Sequence, residues 1–247
     1  MTNLVIDIGN SFTKMAVFNN DDLLKVEQYQ QTSLQNVHSF LSGYPIDRVI
    51  TASVKKEKEA WQLSLDEKFG VVYFNSSLPA GINNHYKTPG TLGADRLAAV
   101  IGAHYLYPGK ASIVIGGGTC ITYDCIDAGA NYFGGSISPG LKMRYKAVNY
   151  YTAALPLVAA DKDFTETYGD DTVTAIKSGV QNGIKYELQG FIENYIKTQK
   201  EYNIILSGGD SIFFETLLKN SIFAPYIKIE PYLVLKGLNA AIQKHND

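Results

Sequence analysis

The chain has 247 residues, 45% of them hydrophobic, enough to bury one large core or two smaller ones. A net charge of −2 with no dense basic run excludes a surface built to hold nucleic-acid phosphates. No apolar run nears the roughly 18 residues of a membrane span and the first residues lead straight into a strand, so a cytoplasmic protein with no signal peptide or membrane contact is expected.

In chain order, residues 4–18 read as strand, tight turn and strand, followed by a strand at 23–29 and a helix at 36–41. Residues 48–53 read as a buried, parallel-type strand, 55–69 as a helix and 70–74 as a strand. The mixed-sign run Lys55-Lys56-Glu57-Lys58-Glu59 reads as the solvated face of that helix. Such alternation points to an α/β fold whose strands are covered on both faces. Pro89 and Gly90 mark a bend, and the apolar run 97–103 then reads as a helix stopped near Pro108-Gly109. Asp95 falls at the start of that helix, where an N-cap carboxylate is favoured by the positive dipole end.

The second half opens like the first. Residues 111–124 repeat the order apolar strand, glycine turn, β-branched strand, and at one constant offset Asp7 falls on Gly116, Gly9 on Gly118 and Asn10 on Thr119. An internal duplication follows, with domains at 1–109 and 110–247. Beyond it come a strand at 132–138, a helix at 140–154 ended before Pro156, a long helix at 173–198, a strand at 202–206 and a helix at 233–244. Cys120 and Cys125 have no cysteine or histidine partner nearby and read as reduced core residues, not a disulfide or zinc site. The four histidines, His38, His85, His104 and His245, are scattered and lack metal-ligand spacing.

Three motifs carry chemistry. Asp7-Ile8-Gly9-Asn10-Ser11 sits on a hairpin where Gly9 admits a phosphate, Asn10 and Ser11 offer donors, and Asp7 offers a hard oxygen to nucleotide-bound magnesium. Lys14 follows on the return strand as a point charge for phosphate. Leu206-Ser207-Gly208-Gly209-Asp210 closes a strand where open α/β sheets bind ligands. A plain hairpin and a plain strand-to-helix turn remain the bland readings of these two. The third motif is Gly93-Ala94-Asp95-Arg96. Neither a Walker-type loop nor a Gly-x-Gly-x-x-Gly turn follows the first strand, which disfavours P-loop and dinucleotide folds.

Together these residues resemble the type III pantothenate kinase family, within the actin and hexokinase superfamily of ATPases. The likeness runs through Asp7-Ile8-Gly9-Asn10-Ser11-Phe12-Thr13-Lys14, where the family has Asp-x-Gly-Asn-Thr-x-x-Lys. It continues through Tyr86, Pro89, Gly93-Ala94-Asp95-Arg96, Gly118-Thr119 and Gly134-Gly135-Ser136-Ile137-Ser138-Pro139-Gly140. Thr152-Ala153-Ala154-Leu155-Pro156, Asp171-Thr172-Val173-Thr174-Ala175-Ile176-Lys177-Ser178-Gly179 and Ser207-Gly208-Gly209-Asp210 complete it.

The resemblance implies duplicated RNase H-like (actin-like ATPase) domains, each a mixed sheet flanked by helices. It implies ATP-dependent phosphorylation of pantothenate, the first step towards coenzyme A, by a homodimer that uses ATP and magnesium. By position, Asp7 to Lys14 (Asp7, Ile8, Gly9, Asn10, Ser11, Phe12, Thr13 and Lys14) would grip the nucleotide phosphates and Thr119 would touch ATP. Asp95 would be the catalytic base, and Tyr86, Gly93, Ala94, Asp95, Arg96 and Thr172 would hold pantothenate. One departure stands out: where the family has an aspartate that binds a monovalent cation, potassium or ammonium, this chain has Gly116. Two other readings are a non-catalytic regulatory relative and a kinase for another small hydroxyl compound. Retention of Asp7, Lys14, Asp95 and Arg96 together counts against the regulator.

Overall fold

The computed structural model describes residues 1–55, 57–78, 80–197 and 201–245, and its contacts separate into two compact units. The first comprises Met1–Gly109, Ala128–Phe133 and Tyr232–Asp247, the second Lys110–Asp127 and Gly134–Pro231.

In the first unit, β1 (Thr2–Ile8), β2 (Thr13–Asn19) and β3 (Asp22–Tyr29) form an antiparallel meander. After α1 (Leu34–Leu41), β4 (Arg48–Ser53) pairs parallel with β1. After α2 (Ala60–Phe69), the short β5 (Val72–Tyr73) pairs parallel with β4, giving the order β3-β2-β1-β4-β5. Residues Leu4, Val5, Ile6 and Ile8 of β1 are all buried, as a central strand covered on both faces requires. Leu4, Ile6 and Ile8 pack with Met15, Val17, Val37, Phe40, Val49 and Trp61 in one apolar cluster.

Also in this unit are β6 (Asn83–Asn84), α3 (Ala94–Leu106) and the C-terminal α8 (Leu233–Lys244). Helices α3 and α8 lie against each other so closely that a Cβ at Gly237 would collide with the Ala98 carbonyl oxygen. That backbone approach fixes α3, whose first turn carries Asp95 and Arg96.

The second unit repeats the topology. β7 (Ala111–Gly117) and β8 (Cys120–Ile126) are antiparallel, and β9 (Asn131–Pro139) lies next to β8. β10 (Tyr202–Gly208) pairs parallel with β7, and β11 (Ile227–Ile229) pairs parallel with β10. The sheet runs β11-β10-β7-β8-β9-β6, where β6 pairs only with the first two residues of β9, both in the first unit. Leaving β6 aside, each sheet is three meander strands followed by two parallel ones. This is the duplicated actin-like ATPase architecture that the two glycine hairpins announce.

Its helices are α4 (Leu141–Tyr150), α5 (Thr172–Lys177), α6 (Gly183–Ile196) and α7 (Ser211–Leu218). The helix expected over 173–198 begins at Thr172, capped by Asp171, and widens into a π-type turn at Ser178–Asn182 before continuing as α6. Buried Gln181 fills that turn, accepting from Tyr145 Oη at 2.8 Å and donating to the Asp161 carbonyl at 2.7 Å. Thr198 lies outside the described residues.

Several boundaries correct the sequence reading. The helix expected over 55–69 starts only at Ala60, because Glu59 is extended and its N–H donates to Gln62 Oε1 at 2.8 Å. Lys55, Glu57 and Lys58 therefore precede the helix, and Lys56 is outside the described residues. Lys55 pairs with Glu59, and Lys58 reaches forward to Asp66. The helix expected over 140–154 stops at Tyr150, where the Thr152 hydroxyl bonds the Val148 carbonyl at 2.7 Å and satisfies the helix end. Helix α7 and strand β11 were not among the expected elements. Both cysteines are free and only partly buried, so neither is a core residue as expected; Cys125 packs against the second unit's core.

Candidate active site

The geometry starts at the first hairpin. The N–H of Gly9 donates to the Phe12 carbonyl at 3.0 Å, closing the turn. Asn10, Ser11 and Phe12 are exposed on it, while the side chains of Ile8 and Thr13 are buried. Those two can present only backbone to a ligand. Asp7 and Lys14 stand directly opposite each other in the β1–β2 ladder, a cross-strand pair of opposite charge.

Asp7 is also close enough to Asp95 to feel its charge. Its carboxyl is pushed up to about 6, chiefly by desolvation, with Lys14 pulling it down and Asp95 adding to the rise. The first unit thus gathers two carboxylates and one ammonium from β1, β2 and α3. A carboxylate that is costly to ionise beside a second carboxylate suits a divalent cation, whose charge relieves both penalties. Among the described residues no group of three or more acidic, histidine or cysteine side chains forms a metal cage, so phosphate and water oxygens would complete the shell.

Asp95 corrects the N-cap expectation. Gly93 is the cap residue and Asp95 the second residue of α3, with its Oδ1 accepting from the Arg96 N–H at 2.9 Å. A Cβ on Gly93 would lie 2.6 Å from that oxygen, so only glycine leaves the carboxylate its place. Arg96 is buried, and its guanidinium lies over the Tyr86 ring at 5.8 Å. Tyr86 in turn is parallel to the buried ring of Tyr132, centroids 6.3 Å apart. Tyr132, which backs Tyr86, carries no signal in the sequence beyond that of an unremarkable strand tyrosine.

In the second unit, Thr119 is exposed on the turn between β7 and β8. Gly116 stands opposite Thr122 on β8 and beside Ser207 on β10, so hydroxyls flank it and it brings no carboxylate. Asp124, two residues beyond Thr122, is buried. Thr172 lines a cavity of about 660 Å³ together with Arg144, Val148, Leu155, Ile176 and Val180. Arg144 is pinned there: it donates to Ser138 Oγ at 2.6 Å and to the Pro139 carbonyl at 2.8 Å, and pairs with Glu187 at 2.5 Å. Glu187 also accepts from Ser138 and Tyr123; burial raises its carboxyl, and the bonds from Arg144, Ser138 and Tyr123 outweigh that and hold it below the usual range. Arg144 and Glu187 lie 43 residues apart, and no spacing signal connects them.

The type III pantothenate kinase family profile matches residues 3–195. The chain is 44% identical to a type III pantothenate kinase of Phocaeicola vulgatus, covering 99% of both chains. It is 41% identical to one of Bacteroides fragilis, covering 99% of this chain and 98% of that one. Among solved structures, a putative Baf family transcriptional activator from Campylobacter jejuni superposes with a TM-score of 0.63 at 19% identity over 98% of each chain, a likeness of fold alone. With the hairpin Asp7-x-Gly9-Asn10, the Gly93-Ala94-Asp95-Arg96 helix start and the repeated sheet order in place, this chain belongs to the type III pantothenate kinase family.

Proposed function

We propose that the protein transfers the γ-phosphoryl group of ATP to the primary hydroxyl of pantothenate, yielding phosphopantothenate and ADP. The observation that carries this reading is the grouping of Asp7, Lys14 and Asp95 in one unit, a nucleotide-binding pair beside a candidate base.

Asp95 has one carboxylate oxygen occupied by the Arg96 N–H, and the other remains to accept the hydroxyl proton as the oxygen attacks phosphorus. Lys14 offsets phosphate charge, and the exposed Asn10 and Ser11 add donors alongside the Gly9 turn. Asp7 would hold magnesium through the nucleotide, and the ion would supply charge neutralisation on the phosphate oxygens. Tyr86 and Arg96 form an aromatic and cationic wall suited to the pantothenate carboxylate. Thr172 adds a hydroxyl to an otherwise mostly apolar cavity, which suits a branched aliphatic substrate. Thr119 would meet ATP from the β7–β8 turn.

At Gly116 the residues present do not fit the family's cation ligand, because hydroxyls replace the carboxylate. We assign no step to potassium or ammonium. A homodimer is consistent with the exposed Tyr150, Tyr151, Leu157 and Val173 of the second unit. Among the described residues no helix is long and apolar enough to cross a membrane. A cytoplasmic place goes with use of ATP.

The deciding experiment follows ADP release by purified protein with Mg-ATP and pantothenate, with hexoses, or with no acceptor. Turnover on pantothenate alone is expected. Turnover on a hexose instead would favour a sugar kinase, and none with any acceptor would favour the regulator.

A further inference from the structure

The two hairpins are built alike but charged differently. In the first, the penultimate pair of the ladder is Asp7 with Lys14; in the second, the penultimate pair is Gly116 with Thr122. The second hairpin thus carries neither a carboxylate nor an ammonium at the matching place. A turn that meets a nucleotide tail without a cation of its own leaves phosphate charge unbalanced.

Two other segments press on that turn. Gly140, just before α4, donates its N–H to the Thr119 carbonyl at 3.2 Å, and a Cβ there would collide with the Gly118 and Thr119 carbonyl oxygens. Asp210, just before α7, donates its N–H to the Gly117 carbonyl at 3.3 Å. From the first of these segments projects Lys142, exposed and two residues beyond Gly140. Both Lys142 and Lys162 act on the Asp210 carboxyl, which burial holds above its usual range. Neither closes an ion pair with it among the described residues. Two ammonium groups thus act on the Asp210 carboxyl, which is itself costly to ionise and whose N–H is bonded to the turn.

We propose that Lys142 is a nucleotide-binding residue, supplying to the phosphate tail of ATP, at the β7–β8 turn, the positive charge that this hairpin lacks. Lys162 adds a weaker contribution to the same anion. The proposal rests on the reading of the protein as an ATP-dependent kinase. Lys142 is exposed and has no hydrogen bond or ion pair among the described residues, so its side chain is open to an incoming phosphate.

The test is calorimetric titration of the natural protein, Lys142→Met and Lys142→Arg with Mg-ATP and, separately, with adenosine, in the absence of pantothenate. Lys142→Met should weaken Mg-ATP binding roughly tenfold or more, the worth of one charge-assisted hydrogen bond. Adenosine binding and the melting temperature should not change, and Lys142→Arg should keep most of the ATP affinity. Lys162→Met should show the same pattern with a smaller loss. Unchanged ATP affinity in Lys142→Met, or equal losses for ATP and adenosine, would overturn the assignment. Because acceptor turnover is not the readout, a natural protein that binds Mg-ATP but fails to phosphorylate pantothenate overturns the substrate reading and leaves this one standing.

Discussion

Asp7 and Lys14 face each other across the β1–β2 ladder, and the pair stands within the field of Asp95 on the first turn of α3. The opposite charges hold each other, while the second carboxylate works against Asp7. An arrangement that leaves one carboxyl hard to ionise is a poor contribution to stability and a good place for a cation.

That conflict has a measurable sign. The Asp7 carboxyl rises from 3.8 to about 6 on folding, so the native state holds its proton more tightly than the unfolded chain. This favours folding fully below the unfolded value, and the benefit is lost as pH climbs through about 6. Asp7→Asn should therefore melt higher than the natural protein at pH above the folded value, by up to about 3 kcal/mol of stability, and show no gain in acid. Melting curves across that window check it, and a variant less stable at neutral pH would count against the desolvated carboxylate.

The same substitution should damage function. Asp7→Asn should raise the magnesium requirement and weaken ATP use, with pantothenate affinity nearly unchanged. Activity of the natural protein should fall as pH drops through about 6, where Asp7 takes up its proton. Calorimetry with each substrate separates the two; lost pantothenate binding with intact nucleotide binding would reverse the assignment.

Asp95→Asn keeps the shape and the oxygen that accepts from the Arg96 N–H, so fold and ATP affinity should survive. Turnover should fall roughly 10²–10⁴-fold, the usual worth of a general base. Normal turnover would leave Asp95 as a helix-start residue and nothing more.

Thr172→Val retains volume and removes the hydroxyl from the cavity wall. Asp171 still caps α5 through the Thr174 N–H, so the helix should not suffer. The KM for pantothenate should rise several-fold, matching a lost hydrogen bond of about 0.5–1.5 kcal/mol, with kcat and the KM for ATP unchanged. An unchanged KM for pantothenate would place Thr172 outside the substrate's reach.

Gly116 predicts weak potassium dependence, measured as rate against potassium at constant ionic strength. Strong, saturable activation of the natural protein would sink the idea that the missing carboxylate disables the cation site. Gly116→Asp should bring dependence back only if the Thr122 hydroxyl turns aside, since a Cβ at 116 lies 2.7 Å from Thr122 Oγ1. Gly116→Asp combined with Thr122→Val removes that oxygen and should distinguish crowding from lost chemistry.

Local signals determined a good deal of this protein. Continuous apolar runs marked β1, β4, β7 and β10, because strands covered on both faces must be apolar throughout. The repeated strand-glycine-strand pattern foretold two sheets of one topology, and the amphipathic run of α8 was legible to its last residue. Short motifs also announced Asp7, Lys14, Asp95 and Arg96 as residues of interest, because charge beside a glycine turn is a pattern of neighbouring residues.

Tertiary structure decided the rest. The opposition of Asp7 and Lys14 depends on ladder register, and the nearness of Asp95 depends on where α8 seats α3 through Gly237. The helix starts at Ala60 and Ala94 were set by backbone geometry at Glu59 and Gly93, which residue types alone do not dictate. The π-type turn follows from what buried Gln181 must bond, and the Arg144–Glu187 pair joins residues far apart in sequence. The Gln181–Asp161 and Arg144–Glu187 contacts join residues 20 and 43 apart, whereas periodicity carries information only about neighbours along one element.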